Sequence, residues 1–548
     1  MKRTIIALAL LCCIQTYAQD IERPRPAEWE GIVEGGRFQD RFLPMVGSEI
    51  RSDVWGAKEV IPRYVDNGIE DDIFSYWGGN IIEEGGKYHQ FLCGWMENSP
   101  KGHMTWSRSI IMRAESDNLS GPFKVMDIVG FGHNPDIFRT RSGGYMIATM
   151  INWKPYYYTS KSLLGPWKLH DFKFDARDRK VIEGMSNLSF TRREDGSVLM
   201  VCRGGGIWIS RDGDSLFMQV TDGSVYPKRE GKFEDPEIWR DNVQYNLIVN
   251  DWLGRVAYYM RSKDGVHWVE DAGEAYTPGI AYHKDGHVEK WYKFERIKIF
   301  QDPQRRAVQA NFAVCDTLKK ADLGNDNHSS KNIAIPINKG LLMEIVESKI
   351  EPRMKTLSVR VKAESGFYPI KDLNIATLRF GLSKDVNFGK GCRVKSTRSE
   401  GDDLILVFDT RQYSIPDSEF APKLLGRNTS GEVVFGYARN PNVDFAPALV
   451  STRRPIYDPQ QKVLNVEIQN FGLSASDQLE VRIYGDNGAL LTNGIAQPLK
   501  PYEKRTLQMS GIDIEKESYE VVVYENGKEL TRTHFFAVSR AHRGEVRP

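Results

Sequence analysis

Apolar and polar residues along this chain fall into short alternating runs joined by polar turns, and one phrase of that pattern recurs five times. Its fullest copy is FEDPEIWRDNVQYNLIVND, from Phe233 to Asp251. Two acids, Glu234 and Asp235, stand against Pro236, followed by an apolar strand, a turn at Asp241-Asn242 and a returning strand. GHNPDIFRTRSGGYMIATM begins at Gly132, MSNLSFTRREDGSVLMVCRG at Met185 and YWGGNIIEEGGKYHQFLCGW at Tyr76; a weaker copy, FERIKIFQDPQRRAVQANFAV, begins at Phe294. Measured at the polar head, Asn134, Asn187, Asp235 and Arg296 are separated by 53, 48 and 61 residues, and Trp77/Gly78 lies about 56 residues before Asn134. Hairpins repeating at roughly 50 residues predict the blades of a β-propeller, and five is the blade count that fits.

The outer half of each unit repeats as well. Ser120-Gly121-Pro122-Phe123 is echoed by Leu164-Gly165-Pro166-Trp167, then by Arg211-Asp212-Gly213 before Phe217, and by Lys263-Asp264-Gly265 before Trp268. Gly-Pro and Asp-Gly are turn dipeptides with a backbone reason, which strengthens the hairpin reading. From Met343 the phrase disappears and plain alternating strands take over. A further unit opens near Ile456 and closes with the Asn526-Gly527 hairpin turn. Short strands at this spacing predict immunoglobulin-like sandwiches. The expected fold is therefore all-β, a five-bladed β-propeller followed by two immunoglobulin-like β-sandwich domains. Its divisions are a leader at 1–18, an N-terminal arm at 19–69, the propeller at 70–340, sandwiches at 341–449 and 450–540, and a disordered tail at 541–548.

Composition narrows the function without naming it. The 548 residues carry a formal net charge of +1, and no Lys/Arg cluster alternates with aromatics, so a nucleic-acid partner is set aside. MKRTIIALALLCCIQTYAQD has a basic start, a short apolar run and small residues at Tyr17-Ala18, the pattern of a signal peptide that directs export to a periplasmic or extracellular location. No later segment approaches the roughly 20 apolar residues of a membrane span. After cleavage Cys93, Cys202, Cys315 and Cys392 remain, without paired spacing or metal-ligand spacing, so neither a disulfide framework nor a metal or other cofactor is indicated.

In a propeller the first strand of each blade lines the axis, and the strand heads converge. The predicted ring is Trp77/Gly78/Gly79, His133/Asn134, Ser186/Asn187, Glu234/Asp235 and Glu295/Arg296. Polar groups are costly to bury unpaired, so their convergence points to a site. WGGNIIEEGGKYHQF, HNPDIF, GPWKL, FEDPEIW and FERIKIF, in that order and spacing over residues 70 to 320, resemble the five-bladed propeller glycoside hydrolases of families 43, 62 and 117 and a branch near them. The resemblance implies an oligosaccharide or polysaccharide substrate. In family 43 it would imply acids at the heads of the first three blades. This chain has Trp77 or Gly78, Asn134 and Asn187 there, so that mechanism does not transfer. Family 117, where a histidine takes part in acid catalysis, is the nearer precedent for His133.

By ring position Glu234, Asp235 and Glu295 are the carboxylates available for the acid and base that glycoside hydrolysis needs. Asp71 and Asp72 would join them if their loop folds over the funnel, as would Asp136 if it points to the side of Asn134. His133 could move protons near neutral pH. Asn134 and Asn187 would bind substrate hydroxyls. Arg296 and Arg113 suit a carboxylate, sulfate or hydroxyl pair, although Arg296 could equally pair with Glu234 as structure. Trp77, Trp95, Trp106, Trp153 and Tyr156 to Tyr158 could each offer a flat face to a sugar or serve as core. The expected function is a secreted, exo-acting, inverting glycoside hydrolase; the alternatives are a non-catalytic glycan-binding propeller, or a glycan lyase using His133 and a tyrosine.

Overall fold

The computed structural model describes residues 22–53, 59–182, 184–214, 216–411, 413–510 and 518–537. The expected leader at 1–18 and tail at 541–548 lie outside the described residues. The chain is all-β, with only short helical turns between strands. No helix among the described residues is long and apolar enough to cross a membrane.

After a small ladder of β1 (Ile50–Arg51) and β2 (Arg63–Tyr64), the recurring phrase builds five successive sheets among the described residues. The first holds β3 (Phe74–Glu84), β4 (Lys87–Met96), β5 (Ile110–Ser116) and β6 (Lys124–Phe131). The second holds β7 (His133–Arg139), β8 (Tyr145–Ile151), β9 (Lys154–Ser160) and β10 (Lys168–Asp171). In the third, β12 (Ser189–Arg192), β13 (Val198–Val201), β14 (Ile207–Ser210) and β15 (Phe217–Gln219) are edged by a parallel β11 (Phe174–Asp175). The fourth holds β16 (Phe233–Arg240), β17 (Tyr245–Asp251), β18 (Val256–Ser262) and β19 (Trp268–Tyr276). The fifth holds β20 (Lys293–Gln301), β21 (Ala307–Cys315) and β22 (Ser330–Pro336).

The first strand of each sheet packs on that of the next, and β20 returns to pack on β3, so the five sheets close a ring. Each sheet is buried against both neighbours, which explains apolar runs more continuous than strict alternation. β17 and β18 are buried along their whole length. The N-terminal residues complete the fifth sheet. Ile69 bridges Asn332, Phe42 bridges Ile337, and the Asn67 side chain accepts from Ala334 N and donates to Ala334 O.

Beyond the ring, seven strands between 343 and 437 join in one path, and two four-stranded sheets follow between 450 and 535. They rest on the ring through shared apolar clusters, Val243 with Phe420 and Phe435, and Leu449 and Phe471 with the third and fourth sheets, and through polar contacts. Arg177 donates to Gln469 and Ser451, and Arg261 lies between Asp271 and Glu419.

Candidate active site

The strand heads share one backbone device. Gly78, Asn134, Asn187, Asp235 and Arg296 all adopt positive φ, between 50° and 60°. In four sheets the ladder slips at this point, between Trp77 and Asn80, His133 and Asp136, Glu234 and Glu237, and Glu295 and Lys298. Such a bulge leaves residues unpaired and re-aims their side chains. It also accounts for Pro135 and Pro236, since proline has no N–H to give a ladder. At Gly79 an added Cβ would lie 2.0 Å from Phe91 O, so only glycine fits there.

The left-handed residues bond to one another around the axis. Asn134 Nδ2 donates to Asn187 Oδ1 (2.7 Å), and Asn187 Nδ2 donates to Asp235 Oδ1 and Glu234 Oε1 (2.9 Å each). Arg296 reaches Asp235 Oδ1 (3.4 Å) and Asn134 O (3.5 Å), its side chain lying over Gly78. The partner of Arg296 is thus Asp235 rather than Glu234. Burial above all, with the charge of Glu234 adding and Arg296 and Lys319 opposing, raises the Asp235 carboxyl above its ordinary range.

Two residues further along each strand lies a second tier made of Asn80, Asp136, Ser189, Glu237 and Lys298. Asn80 Oδ1 accepts from Ile137 N (2.8 Å), Ser189 Oγ from Ile238 N (3.1 Å) and Glu237 Oε1 from Ile299 N (3.0 Å), so each side chain pins the next sheet. Lys298 Nζ bonds to Asp136 and, at 2.8 Å, to Glu237 Oε2. Asp136 therefore belongs to the closure of the ring, beneath Asn134, rather than to its mouth. Burial, with Lys298 opposing and Glu237 adding, pushes its carboxyl up to about 6 from 3.8. A carboxyl raised in the folded state stabilises the fold below its unfolded pKa and loses that contribution as pH rises through the folded value. Wild type should lose stability relative to Asp136→Asn between about pH 4 and pH 6. Denaturant midpoints of both proteins across that range check this, and a pH-independent difference contradicts it.

At the mouth stand the residues that precede the left-handed positions: Trp77, His133, Ser186, Glu234 and Glu295. The Glu234 side chain is 22% exposed and lies 3.0 Å from Arg203 NH2. Glu295 is 2% exposed; its Oε2 meets Lys319 Nζ at 2.5 Å, and its Oε1 has no hydrogen-bond partner. Burial opposes the charge on Lys319, yet Glu295, Glu234 and Asp235 raise its pKa above the ordinary lysine value. The ammonium also lies 4.8 Å over the Trp77 ring. His133 Nδ1 is 3.1 Å from Ser109 Oγ, and burial, then Arg296 and Lys319, pushes its pKa well below the imidazole range. It is neutral at pH 7, and burial beside two cations disfavours its taking up a proton there, against the proton transfer near neutral pH expected of it.

Beside His133 the rings continue outward, Trp106 at 4.7 Å and Trp153 edge-on to Trp106 at 5.0 Å. Trp153 is 71% exposed and occupies the two-residue turn between β8 and β9 with φ of 65°, after Asn152 at 49°. Such a turn favours Asn-Gly, and a bulky residue at positive φ is strained, a feature that clusters at functional sites.

The structure places the remaining candidates away from the axis or in the core. Arg113 lies on the third strand of its sheet, roughly 10 Å of strand spacing from the axis, where it pairs with Asp127, Glu115 and His89. Asp71 caps the start of β3, accepting from Ile73 N, Phe74 N and Tyr76 Oη, while Asp72 is exposed; neither bonds to the ring among the described residues. Trp77 and Trp95 are buried around His103 and offer no open face. Tyr157 stacks on His170, and Tyr158 donates to Phe131 O. Arg203 and Lys319 escaped the sequence reading because it weighed only the strand heads: Arg203 stands at the far end of the third copy, just past β13, and Lys319 on a connecting segment after the fifth.

No protein-family model matches the chain, and no curated protein matches its sequence. Among solved structures it is similar to a family 117 glycoside hydrolase from Zobellia galactanivorans, with 13% identity and a TM-score of 0.37 over 50% of this chain and 90% of that one. An endo-1,4-β-xylanase from Bacteroides thetaiotaomicron aligns at 15% identity and a TM-score of 0.32, over 47% of this chain and 89% of that one. A family 43 endo-arabinanase from Bacillus licheniformis aligns at 14% identity and a TM-score of 0.30, over 50% and 96%. At these values no residue role passes from those enzymes to this chain.

Proposed function

We propose that the chain is a glycoside hydrolase, exo-acting and inverting, which cleaves an oligosaccharide at the mouth of a five-bladed propeller carrying two immunoglobulin-like sandwiches. The observation that supports this most is the pair Glu234 and Glu295. They hold the same position on neighbouring sheets, each with its own cation, and their surroundings differ. Glycoside hydrolysis uses two carboxyl groups in unequal settings. Glu234, open to solvent beside Arg203, takes the role of general base. The Glu295–Lys319 pair takes that of general acid, with Glu295 Oε2 holding the ammonium at the mouth. Water then attacks the anomeric carbon while the bond to the leaving oxygen breaks. Glu234 receives the water proton, and the Lys319 ammonium held by Glu295 delivers one to the leaving group.

Trp153 and Trp106 form the platform for the sugar ring. Replacing Trp153 by glycine relieves the positive φ and should stabilise the fold by about 1 kcal/mol. The same change removes a stacking face worth roughly 0.5–1.5 kcal/mol, so KM should rise several-fold. Stability and affinity thus move in opposite directions, and an unchanged KM contradicts the platform.

A second reading, a non-catalytic glycan-binding ring, draws on the burial of Asp235 and Glu295 against Arg296 and Lys319. Reducing-sugar release over a polysaccharide panel separates the two. In a cleaved substrate, the first-formed anomer by NMR tests inversion, and single-residue products from the chain end test exo action. Export rests on the pattern of residues 1–18, and a mature protein that retains Met1 contradicts it.

A further inference from the structure

The spacing of the cysteines in sequence gives no metal site, but the fold assembles one combination of ligands from separate segments. The 3-10 turn Gly102–Arg108, between β4 and β5, meets the 316–329 loop between β21 and β22. His103 N donates to Asp322 O (3.1 Å), and a Cβ on Gly102 would lie 1.9 Å from that oxygen, so the two backbones are in direct contact. There a ring nitrogen of His103, Cys315 Sγ and a carboxylate oxygen of Asp322 lie within 4.8 Å of one another, all three residues buried. Asp322 Oδ2 is 3.9 Å from His103 Nδ1 and 3.8 Å from Cys315 Sγ. Ligands at the usual Zn–N and Zn–S distances in a tetrahedron stand about 3.3–3.8 Å apart, so the two separations from Asp322 are close to that range, and His103 and Cys315 would close on each other by up to about 1 Å. Ser330 Oγ, 2.7 Å from His103 Nδ1 and 3.1 Å from Asp322 Oδ2, is a further oxygen at the same spot.

Independent features support a cation here. Asp322 Oδ1 is buried without a hydrogen-bond partner, and so is Oε1 of nearby Glu97. Asp322 is buried, where a carboxylate oxygen without a partner is costly. The His103 ring is fixed edge-on between Trp77 (4.7 Å) and Trp95 (5.0 Å).

We propose that His103, Cys315 and Asp322 bind one borderline divalent cation, zinc by its acceptance of mixed nitrogen, sulfur and oxygen ligands. Binding converts the Cys315 thiol to thiolate and releases its proton, together with any proton on Asp322. The cation clamps the base of the loop that carries Lys319 to Glu295 and Trp77, so it acts on the mouth of the ring through position alone.

The test uses the full mature chain, purified without a histidine tag and stripped by a chelator. Titration with zinc chloride should show one equivalent bound with proton release, and cobalt loading should give a sulfur-to-cobalt charge-transfer absorption in the near ultraviolet. Cys315→Ser should lose that absorption and bind zinc at least about tenfold more weakly. If Cys315→Ser does not fold, Asp322→Asn, which keeps the side-chain shape, serves for the affinity comparison. The proposal is overturned if stripped wild type takes up no equivalent of zinc, if cobalt-loaded wild type lacks the charge-transfer band, or if a folded variant binds zinc as tightly as wild type.

Discussion

Glu234→Gln is expected to lower turnover by about 100- to 10,000-fold, the usual contribution of general acid–base catalysis, with KM and the fold nearly unchanged. The amide keeps the size of the side chain and can still accept from Asn187 Nδ2, which lies 2.9 Å from Oε1. Because the carboxyl group is partly exposed, its replacement leaves no deeply buried charge without a partner. The measurement is kcat and KM on a substrate that wild type cleaves, with Asp235→Asn and Glu295→Gln alongside. Glu295→Gln should also reduce turnover, but it removes the counter-charge of Lys319, so stability should fall as well. Asp235→Asn leaves Arg296, 1% exposed, without its carboxylate, and its main effect should be on stability. If Glu234→Gln and Glu295→Gln both retain near wild-type turnover, the assigned acid and base are wrong.

Lys298→Met is expected to destabilise the ring by about 3–5 kcal/mol, the range for breaking a buried ion pair from one side. Lys298 is buried between Asp136 and Glu237, and no other cation bonds to either carboxylate among the described residues. Methionine fills the volume but leaves two buried carboxylates facing each other. Glu237 also accepts the Ile299 N–H, so the disturbance reaches the contact between the fourth and fifth sheets. Adding Asp136→Asn and Glu237→Gln to Lys298→Met should recover part of the loss, because the three groups act as one network. Denaturant unfolding of the single and triple variants decides the matter. A loss below about 1 kcal/mol for the single variant would show that the tier does not hold the sheets together.

The repeat and the strand heads were legible in the amino-acid sequence. Strand alternation, the turn dipeptides and the Asn-Pro and Asp-Pro heads are governed by local sterics, and local sterics repeat when the unit repeats. For the same reason Asn134, Asn187, Asp235 and Arg296, chosen only by their spacing, fall on one backbone device. Partners and burial were decided elsewhere. Closing the ring brings Lys298 onto Asp136, 162 residues away, and sets Arg296 on Asp235 instead of Glu234. It buries Glu295 while leaving Glu234 open, although the two heads look alike in sequence. It also carries Arg113 outward, because the third strand of a sheet stands two strand spacings from the axis. His103, Cys315 and Asp322 meet only where two connecting segments touch beside the end of β21. Which strands form depends on near neighbours along the chain, whereas the charge beside a given carboxylate depends on which distant segments the closed ring presses together.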